Sequence, residues 1–255
     1  MLSDAHKEQW GYDGFFIKRG FESPLRCRAL HDRVVEIART AATGTRVPNV
    51  LLVREKKPNP YARNPEDAVA KIFRLHRDGP FEALVTDPRY VAIAQELLDP
   101  EIDCFVTQFI FKNRGAMGQP WHQDSHYFAF SKSPQVGFWL AITPATRDNG
   151  CLYVLPGSHR EPVHKHVPDT RTHALYGYEE IVDYDPSAST PVLMDTGDLL
   201  VFHSHLMHRS TDNDSAGIRA AMVWHYAAAG TEDHTKEKFG FQNPSHDFMP
   251  VARRA

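Results

Sequence analysis

The chain has 255 residues, 42% of them hydrophobic and 24% charged, which suits one globular unit with a substantial core rather than two small ones. A formal net charge of −3 and scattered basic residues leave no footprint for phosphate backbones, so nucleic acid is not an expected partner. Cys27, Cys104 and Cys151 are too few and too dispersed for a disulfide framework or a zinc knuckle, and read as small buried hydrophobes in a reducing compartment.

The start, Met1 to Trp10, is polar with no hydrophobic signal region, and no apolar run approaches the length of a membrane span. A cytoplasmic protein that does not engage a membrane is expected. Ser23-Pro24 offers a cap and a proline in the first turn, after which Leu30, Val34, Ile37, Ala38 and Ala41 recur at helical spacing. Asn64-Pro65-Glu66-Asp67 gives the same start signal, and the apolar stripe Val69, Ile72 and Phe73 predicts a second helix. Asp87-Pro88 predicts a third, with Val91, Ala94 and Leu98 behind it. Between the first two lies 43–64, rich in Pro, Asn, Lys and Arg, which reads as an irregular loop holding a short strand at Val50 to Val53.

From about residue 103 the pattern changes to short runs rich in Val, Phe, Leu and Trp between turn residues. Strands are predicted over 104–112, 136–143, 151–155, 191–195, 198–203 and 218–227, with tight turns at Asn149-Gly150 and Pro156-Gly157. Many short strands without alternating helices predict a mainly β fold with flanking helices, an antiparallel jelly roll. Residues 1–255 are expected to form a single domain: a helical part over about 1–100, a β core over about 101–230 and a C-terminal tail. Neither an internal repeat nor any sign of the oligomeric state is visible.

The chemistry begins at Trp121-His122-Gln123-Asp124. In an extended segment His122 and Asp124 point to one side and can reach one ion. Such a pair with one distant His occupies one face of an octahedral ion and leaves the opposite face open, the ligand set of a non-haem iron(II) oxygenase. Alone, the motif is a weak signal among 15 histidines. Downstream, His203, His205 and His208 compete for the third position, and His208 is favoured because Ser210 and then Arg219 follow it. On a strand from Arg219, the residues Ala221, Val223 and His225 share its face, which puts a guanidinium at the end of a small apolar lining. A buried guanidinium wants an anion, and Ser210 can add a hydrogen bond to it. A dicarboxylate held there could chelate the metal with its other end, and 2-oxoglutarate has that shape.

Three linked segments resemble the phytanoyl-CoA dioxygenase family of iron(II) and 2-oxoglutarate dependent oxygenases: His122-Gln-Asp-Ser-His-Tyr-Phe-Ala-Phe130, Asn149-Gly-Cys-Leu-Tyr-Val-Leu-Pro-Gly-Ser-His159, and His208 with Ser210 and Arg219. A weaker match at Tyr12-Asp-Gly-Phe-Phe-Ile17 extends the likeness over most of the chain, apart from 43–64 and the tail after about 230. The resemblance implies a double-stranded β-helix, the cupin-like form of the jelly roll. It implies that His122, Asp124 and His208 bind iron and that Arg219 and Ser210 bind the distal carboxylate of 2-oxoglutarate. It further suggests Gln108, Trp139 and Lys71 as co-substrate contacts, Lys71 lying in the helix predicted from Pro65.

The implied reaction consumes dioxygen and 2-oxoglutarate, releases succinate and carbon dioxide, and hydroxylates an unactivated C–H. Halogenases similar to this family lack the carboxylate ligand, so Asp124 argues for oxygenation; desaturation and epoxidation share the same oxidant. The expected partner is a small molecule or an acyl thioester, and a CoA ester would call on basic residues such as Lys56, Lys57 and Arg63. Two other classes compete: a non-catalytic jelly roll that binds metal and 2-oxoglutarate, and a zinc hydrolase, which leaves Arg219 and Ser210 without a role. Among neighbouring residues, Gln119 reads as a loop glutamine facing water, and His126 as a substrate contact if the strand continues past Asp124. His159, His164, His166 and His173 read as a solvated loop rather than a second metal site.

Overall fold

The computed structural model describes residues 2–175 and 177–253. Helix α1 (Asp4–Asp13) starts at Ser3, whose hydroxyl accepts from the His6 amide, and stops at Gly14 in the left-handed region. Helix α2 (Pro24–Ala42) is capped by Ser23 and buries Cys27, Leu30, Val34, Ile37 and Ala38, the face that the periodicity predicts. Helices α3 (Gly79–Val85) and α4 (Pro88–Leu97) follow, the second capped by Asp87. The short helices α5 (Asp124–Tyr127) and α6 (Thr235–Phe239) lie in the second half of the chain.

The strands are β1 (Phe15–Lys18), β2 (Leu51–Arg54), β3 (Val69–Phe73), β4 (Ile102–Lys112), β5 (Val136–Ala141), β6 (Leu152–Val154), β7 (His166–Pro168), β8 (Glu179–Ile181), β9 (Thr190–Val192), β10 (Leu199–His203), β11 (His208–Ser210), β12 (Arg219–Ala228) and β13 (Met249–Ala252). An antiparallel sheet runs in the order β1-β10-β5-β12-β4-β3-β2, with β13 also paired to β4; β11-β6-β9 form a second sheet and β7-β8 a separate hairpin.

Alternation along the central strands sorts side chains to two faces. One face of the large sheet carries Phe109, Phe111, Phe138, Leu140, Met222, Trp224 and Tyr226, which pack with Leu30, Val34, Ile37, Phe81, Leu84 and Tyr90 of the helices in one cluster. The opposite face carries Trp139, Ala141, Leu200, Phe202, Ala221 and Val223, which pack with Leu152, Val154 and Val192 of the small sheet. Two sheets enclosing one interior, with helices on the outside of the larger, make the double-stranded β-helix. The candidate chemistry lies in that interior. None of the helices among the described residues is long and apolar enough to cross a membrane.

The second predicted helix is absent. Pro65–Ala68 form a single 3-10 turn, and Val69–Phe73 then become strand β3 between β2 and β4. The stripe Val69, Ile72, Phe73 has helical spacing, but pairing with the long β4 overrides it: Ile72 is fully buried with the helices, while Lys71 turns to the interior opposite Ile110. The first hundred residues thus contribute β1, β2 and β3 to the large sheet, and the tail contributes β13.

Candidate active site

His122 and His208 face each other across a two-residue bridge: the His122 amide donates to the His208 carbonyl (2.9 Å) and the His208 amide to the His122 carbonyl (3.0 Å). Their rings lie 4.1 Å apart. Asp124 opens helix α5, but Gln123 before it is extended (φ −115°, ψ 129°), so His122 and Asp124 share a side as expected of the H-x-D segment. Its Oδ1 lies 3.4 Å from His122 Nε2 and 3.8 Å from His208 Nε2. One ligand atom from each of the three residues lies within 4.8 Å of the others. His203 and His205 are not in the group; His203 ends β10, packs beside Trp10 and accepts from the His205 amide through Nδ1.

Backbone carbonyls fix both imidazoles. His122 Nδ1 lies 2.8 Å from the Pro120 carbonyl and His208 Nδ1 2.9 Å from that of Leu206, so each donates from Nδ1 and turns the lone pair of Nε2 toward Asp124. Burial, helped by His122, lowers the His208 pKa to about 4, which keeps the ring neutral and ready to coordinate near neutral pH. Burial on its own would raise the Asp124 pKa, but His208, His122 and His225 outweigh it and hold the carboxyl well below the ordinary range. His225 Nε2 sits 2.8 Å from Asp124 Oδ2, which leaves Oδ1 to the two histidines. This residue was visible in the sequence only as a member of the Arg219 face.

Arg219 is 1% exposed, and its Nε donates to the Gly150 carbonyl at 3.2 Å. Its guanidinium lies 5.3 Å from the centre of the Trp139 ring, while Nη1 has no hydrogen-bond partner. Burial pushes its pKa down to about 10. Trp139 Nε1 and Gln108 Oε1 are also buried and unpartnered. Gln108 and Trp139 flank Val223 on the two neighbouring strands, so all three orphaned groups belong to the interior face that carries Arg219. Buried polar atoms without partners are few in proteins and call for an explanation.

Lys71 reaches the same interior from β3 rather than from a helix. Its Nζ donates to Gln119 Oε1 (3.3 Å) and lies 4.9 Å from the centre of the Tyr178 ring. Burial lowers its pKa to about 8 although Asp124 opposes the shift. Gln119 is therefore not a water-facing loop residue: its side-chain Nε2 also lies 3.0 Å from His122 Nε2. Ser210 Oγ accepts from the Gln119 amide (3.0 Å) and from Lys112 Nζ (2.9 Å), a lysine the sequence did not single out. Lys112 stands opposite Arg219 in the β4-β12 register and is 4% exposed.

His126 does not continue a strand past Asp124. It lies in helix α5, pairs with Glu179 on β8 and stacks on His166 with ring centres 3.9 Å apart. Nor is the histidine-rich segment wholly solvated, because His166 is buried and accepts from the Gln123 amide at 3.1 Å. Those histidines form no metal-ligand group among the described residues. A cavity of about 610 Å³ adjoins the site, lined by Tyr127, Tyr178 and Glu179, by Leu175, Phe239 and Phe241, and by Lys56 and Arg171. Tyr127, with its ring centre 6.0 Å from that of His122, and Tyr178 over Lys71 connect the cavity to the interior.

Residues 10–221 match the family model for phytanoyl-CoA dioxygenase. A Bos taurus protein named "Phytanoyl-CoA dioxygenase, peroxisomal" is 31% identical over 196 residues, which cover 74% of this chain and 58% of that one. The chain thus spans little more than half the length of this relative. A second Bos taurus protein, "Phytanoyl-CoA dioxygenase domain-containing protein 1", is 27% identical over 90% of this chain and 92% of its own. Among solved structures, EvdO2 from Micromonospora carbonacea var. aurantiaca complexed with 2-oxoglutarate superposes with a TM-score of 0.67 at 21% identity, covering 91% of this chain and 93% of that one. EctD from S. alaskensis with 2-oxoglutarate and 5-hydroxyectoine superposes with a TM-score of 0.68 at 19% identity, covering 89% and 76%. At such identities the likeness is one of fold.

Proposed function

The chain belongs to the phytanoyl-CoA dioxygenase family, and we propose that it is an iron(II)- and 2-oxoglutarate-dependent dioxygenase that hydroxylates a C–H bond of a small molecule or an acyl thioester. One observation carries the reading: the His122, Asp124, His208 cluster shares an interior with a buried Arg219 whose Nη1 has no partner. The donor set fits a divalent transition ion, since two neutral imidazoles and a carboxylate suit iron(II) and leave coordination positions open. The orphaned Arg219 Nη1 and Trp139 Nε1 are donors, which fits a carboxylate at that end.

Bound together, iron(II), 2-oxoglutarate and dioxygen supply an oxidant strong enough for an aliphatic C–H, with succinate and carbon dioxide as co-products. The protein's own part is placement. His122, Asp124 and His208 would hold the metal; Arg219 and Ser210 would take the distal carboxylate, with Trp139 and Gln108 beside it. Lys71 and Gln119, between these groups and the cavity, would neutralise and orient the end nearest the metal. The cavity lined by Tyr127, Tyr178, Phe239 and Phe241 would receive the substrate's apolar part and limit water at the reacting bond, while Lys56, Glu179 and the Arg171–Asp169 pair give it a polar rim.

Succinate formation by anaerobically purified protein supplied with iron(II), 2-oxoglutarate and oxygen tests the reading. Release above the protein-free rate, increased by candidate carboxylic acids and acyl thioesters, is the expected result. Tight metal and 2-oxoglutarate binding without succinate, whatever the substrate, would instead favour a binding module.

His225→Phe keeps an aromatic ring at this position but removes the hydrogen bond to Asp124 Oδ2. Loss of such an outer partner typically costs about 10–100-fold in metal affinity or activity. An iron(II) titration of this variant should show a loss of that size, with 2-oxoglutarate binding at saturating metal little changed. Unaltered iron affinity would count against a role for His225 in setting Asp124.

A further inference from the structure

We infer that Lys112 is a positioning residue for the co-substrate: it fixes the Ser210 hydroxyl as a donor aimed at the distal carboxylate, next to Arg219. The inference rests on the 2-oxoglutarate reading above and concerns a residue that touches the ligand only through another.

A serine hydroxyl has one proton and two acceptor positions. At Ser210 both acceptor positions are engaged, one by Lys112 Nζ at 2.9 Å and one by the Gln119 amide at 3.0 Å. The proton is therefore left to donate. An incoming hydrogen bond from an ammonium also polarises the hydroxyl and strengthens the bond it gives. Without Lys112 the hydroxyl would be free to rotate and accept, a poor arrangement opposite a carboxylate.

The surroundings fit that task. Lys112 ends β4 and Arg219 begins β12, directly opposite in register, so the ammonium and the guanidinium share one corner of the interior. Lys112 also donates to the Thr211 carbonyl, which anchors it to the end of the β11 segment that carries Ser210. Gly150 closes the corner: a Cβ there would lie 2.5 Å from Lys112 Cδ and 2.7 Å from the Thr211 carbonyl oxygen, and its φ of +86° already favours glycine. Burial and the adjacent Arg219 press the Lys112 pKa well below the ordinary lysine range, opposed by Asp212 and Glu55, so a carboxylate arriving in this corner would secure the proton on Nζ. Burying two cations side by side is costly unless an anion joins them.

The test measures binding, not turnover. Dissociation constants of 2-oxoglutarate and of 2-oxobutyrate, which lacks the distal carboxylate, are taken by anaerobic calorimetry on manganese(II)-loaded wild type, K112M, K112R, S210A and K112M/S210A. A hydrogen bond to a charged group is worth roughly 10-fold or more in affinity. K112M is expected to weaken 2-oxoglutarate by about that factor, leave 2-oxobutyrate unchanged and be partly restored in K112R. Because Lys112 acts through Ser210, the double variant should be no weaker than the worse single one.

Equal weakening of both keto acids by K112M, as from general damage, would overturn the inference, as would unaltered 2-oxoglutarate affinity. Multiplied effects in the double variant would overturn it too, by showing that Lys112 acts on the ligand independently of Ser210. Failure of the wild type to bind either keto acid would instead remove the reading of the site on which the inference stands.

Discussion

Replacing His208 by alanine is expected to abolish iron binding and succinate formation together while the fold persists. On the proposed reading the imidazole supplies one of three ligand atoms, and losing it leaves His122 and Asp124, too few to retain the ion. The loss of affinity should exceed the about 10–100-fold that removal of an outer-shell partner causes. The fold should survive because the bridge joining His208 to His122 is made by main-chain groups, which alanine keeps. Burial holds the His208 pKa at about 4, so in the wild type protons compete for this ligand only as the pH falls toward that value. Iron titration and far-UV circular dichroism of His208→Ala, run side by side, check both halves of the expectation. Retained stoichiometric iron would remove His208 from the ligand set.

The clustering of His122, Asp124 and His208 was legible because the pair H-x-D is local and its middle residue is extended. His122 and Asp124 converge because Gln123 between them is extended, and helix α5 starts only at Asp124 itself. The large sheet was legible from 104 onward because β4, β5, β10 and β12 bury both faces and read as continuous apolar runs. Strand β3 was not: a five-residue stripe behind a Pro-Glu-Asp start carries a helical signal, and only its partners β2 and β4 override it. The β7-β8 hairpin was hidden because its strands have three residues each and one contains Pro168.

Side chains that touch the candidate site residues from distant strands were the least visible. His225 and Lys112 lie 101 and 98 residues from the atoms they steady, Asp124 Oδ2 and Ser210 Oγ, and nothing local marks either as more than a strand residue. Gln119 differs, since a loop glutamine three residues before His122 could face either the pocket or water, and β3 decides it by bringing Lys71 beside it. A strand lysine whose register points it into the interior is the signal that would have placed both Lys71 and Lys112 correctly.

Arg219→Met should move co-substrate affinity and stability in opposite directions, or lower the first while leaving the second unchanged. Among the described residues the buried guanidinium has a hydrogen bond to the Gly150 carbonyl and an aromatic neighbour, Trp139. Losing them costs about 0.5–1.5 kcal/mol for the hydrogen bond and about 0.5–2 kcal/mol for the cation–π contact. Against this stands the desolvation of a buried cation, several kcal/mol even after relaxation. Methionine fills similar volume without the charge, so the thermal midpoint should hold or rise. The ligand feels the reverse. Removing one partner of a buried charge pair costs about 2–5 kcal/mol, which by the affinity relation is roughly 30-fold to several thousandfold in the 2-oxoglutarate dissociation constant. Lysine should not rescue it, because a point charge on a flexible stem does not reproduce the planar fork that pairs both carboxylate oxygens. Binding of 2-oxobutyrate, with no distal carboxylate, should be nearly unaffected. A fall in both affinity and thermal midpoint would make Arg219 a structural residue; a fall in affinity alone makes the buried cation a cost the fold carries for its ligand.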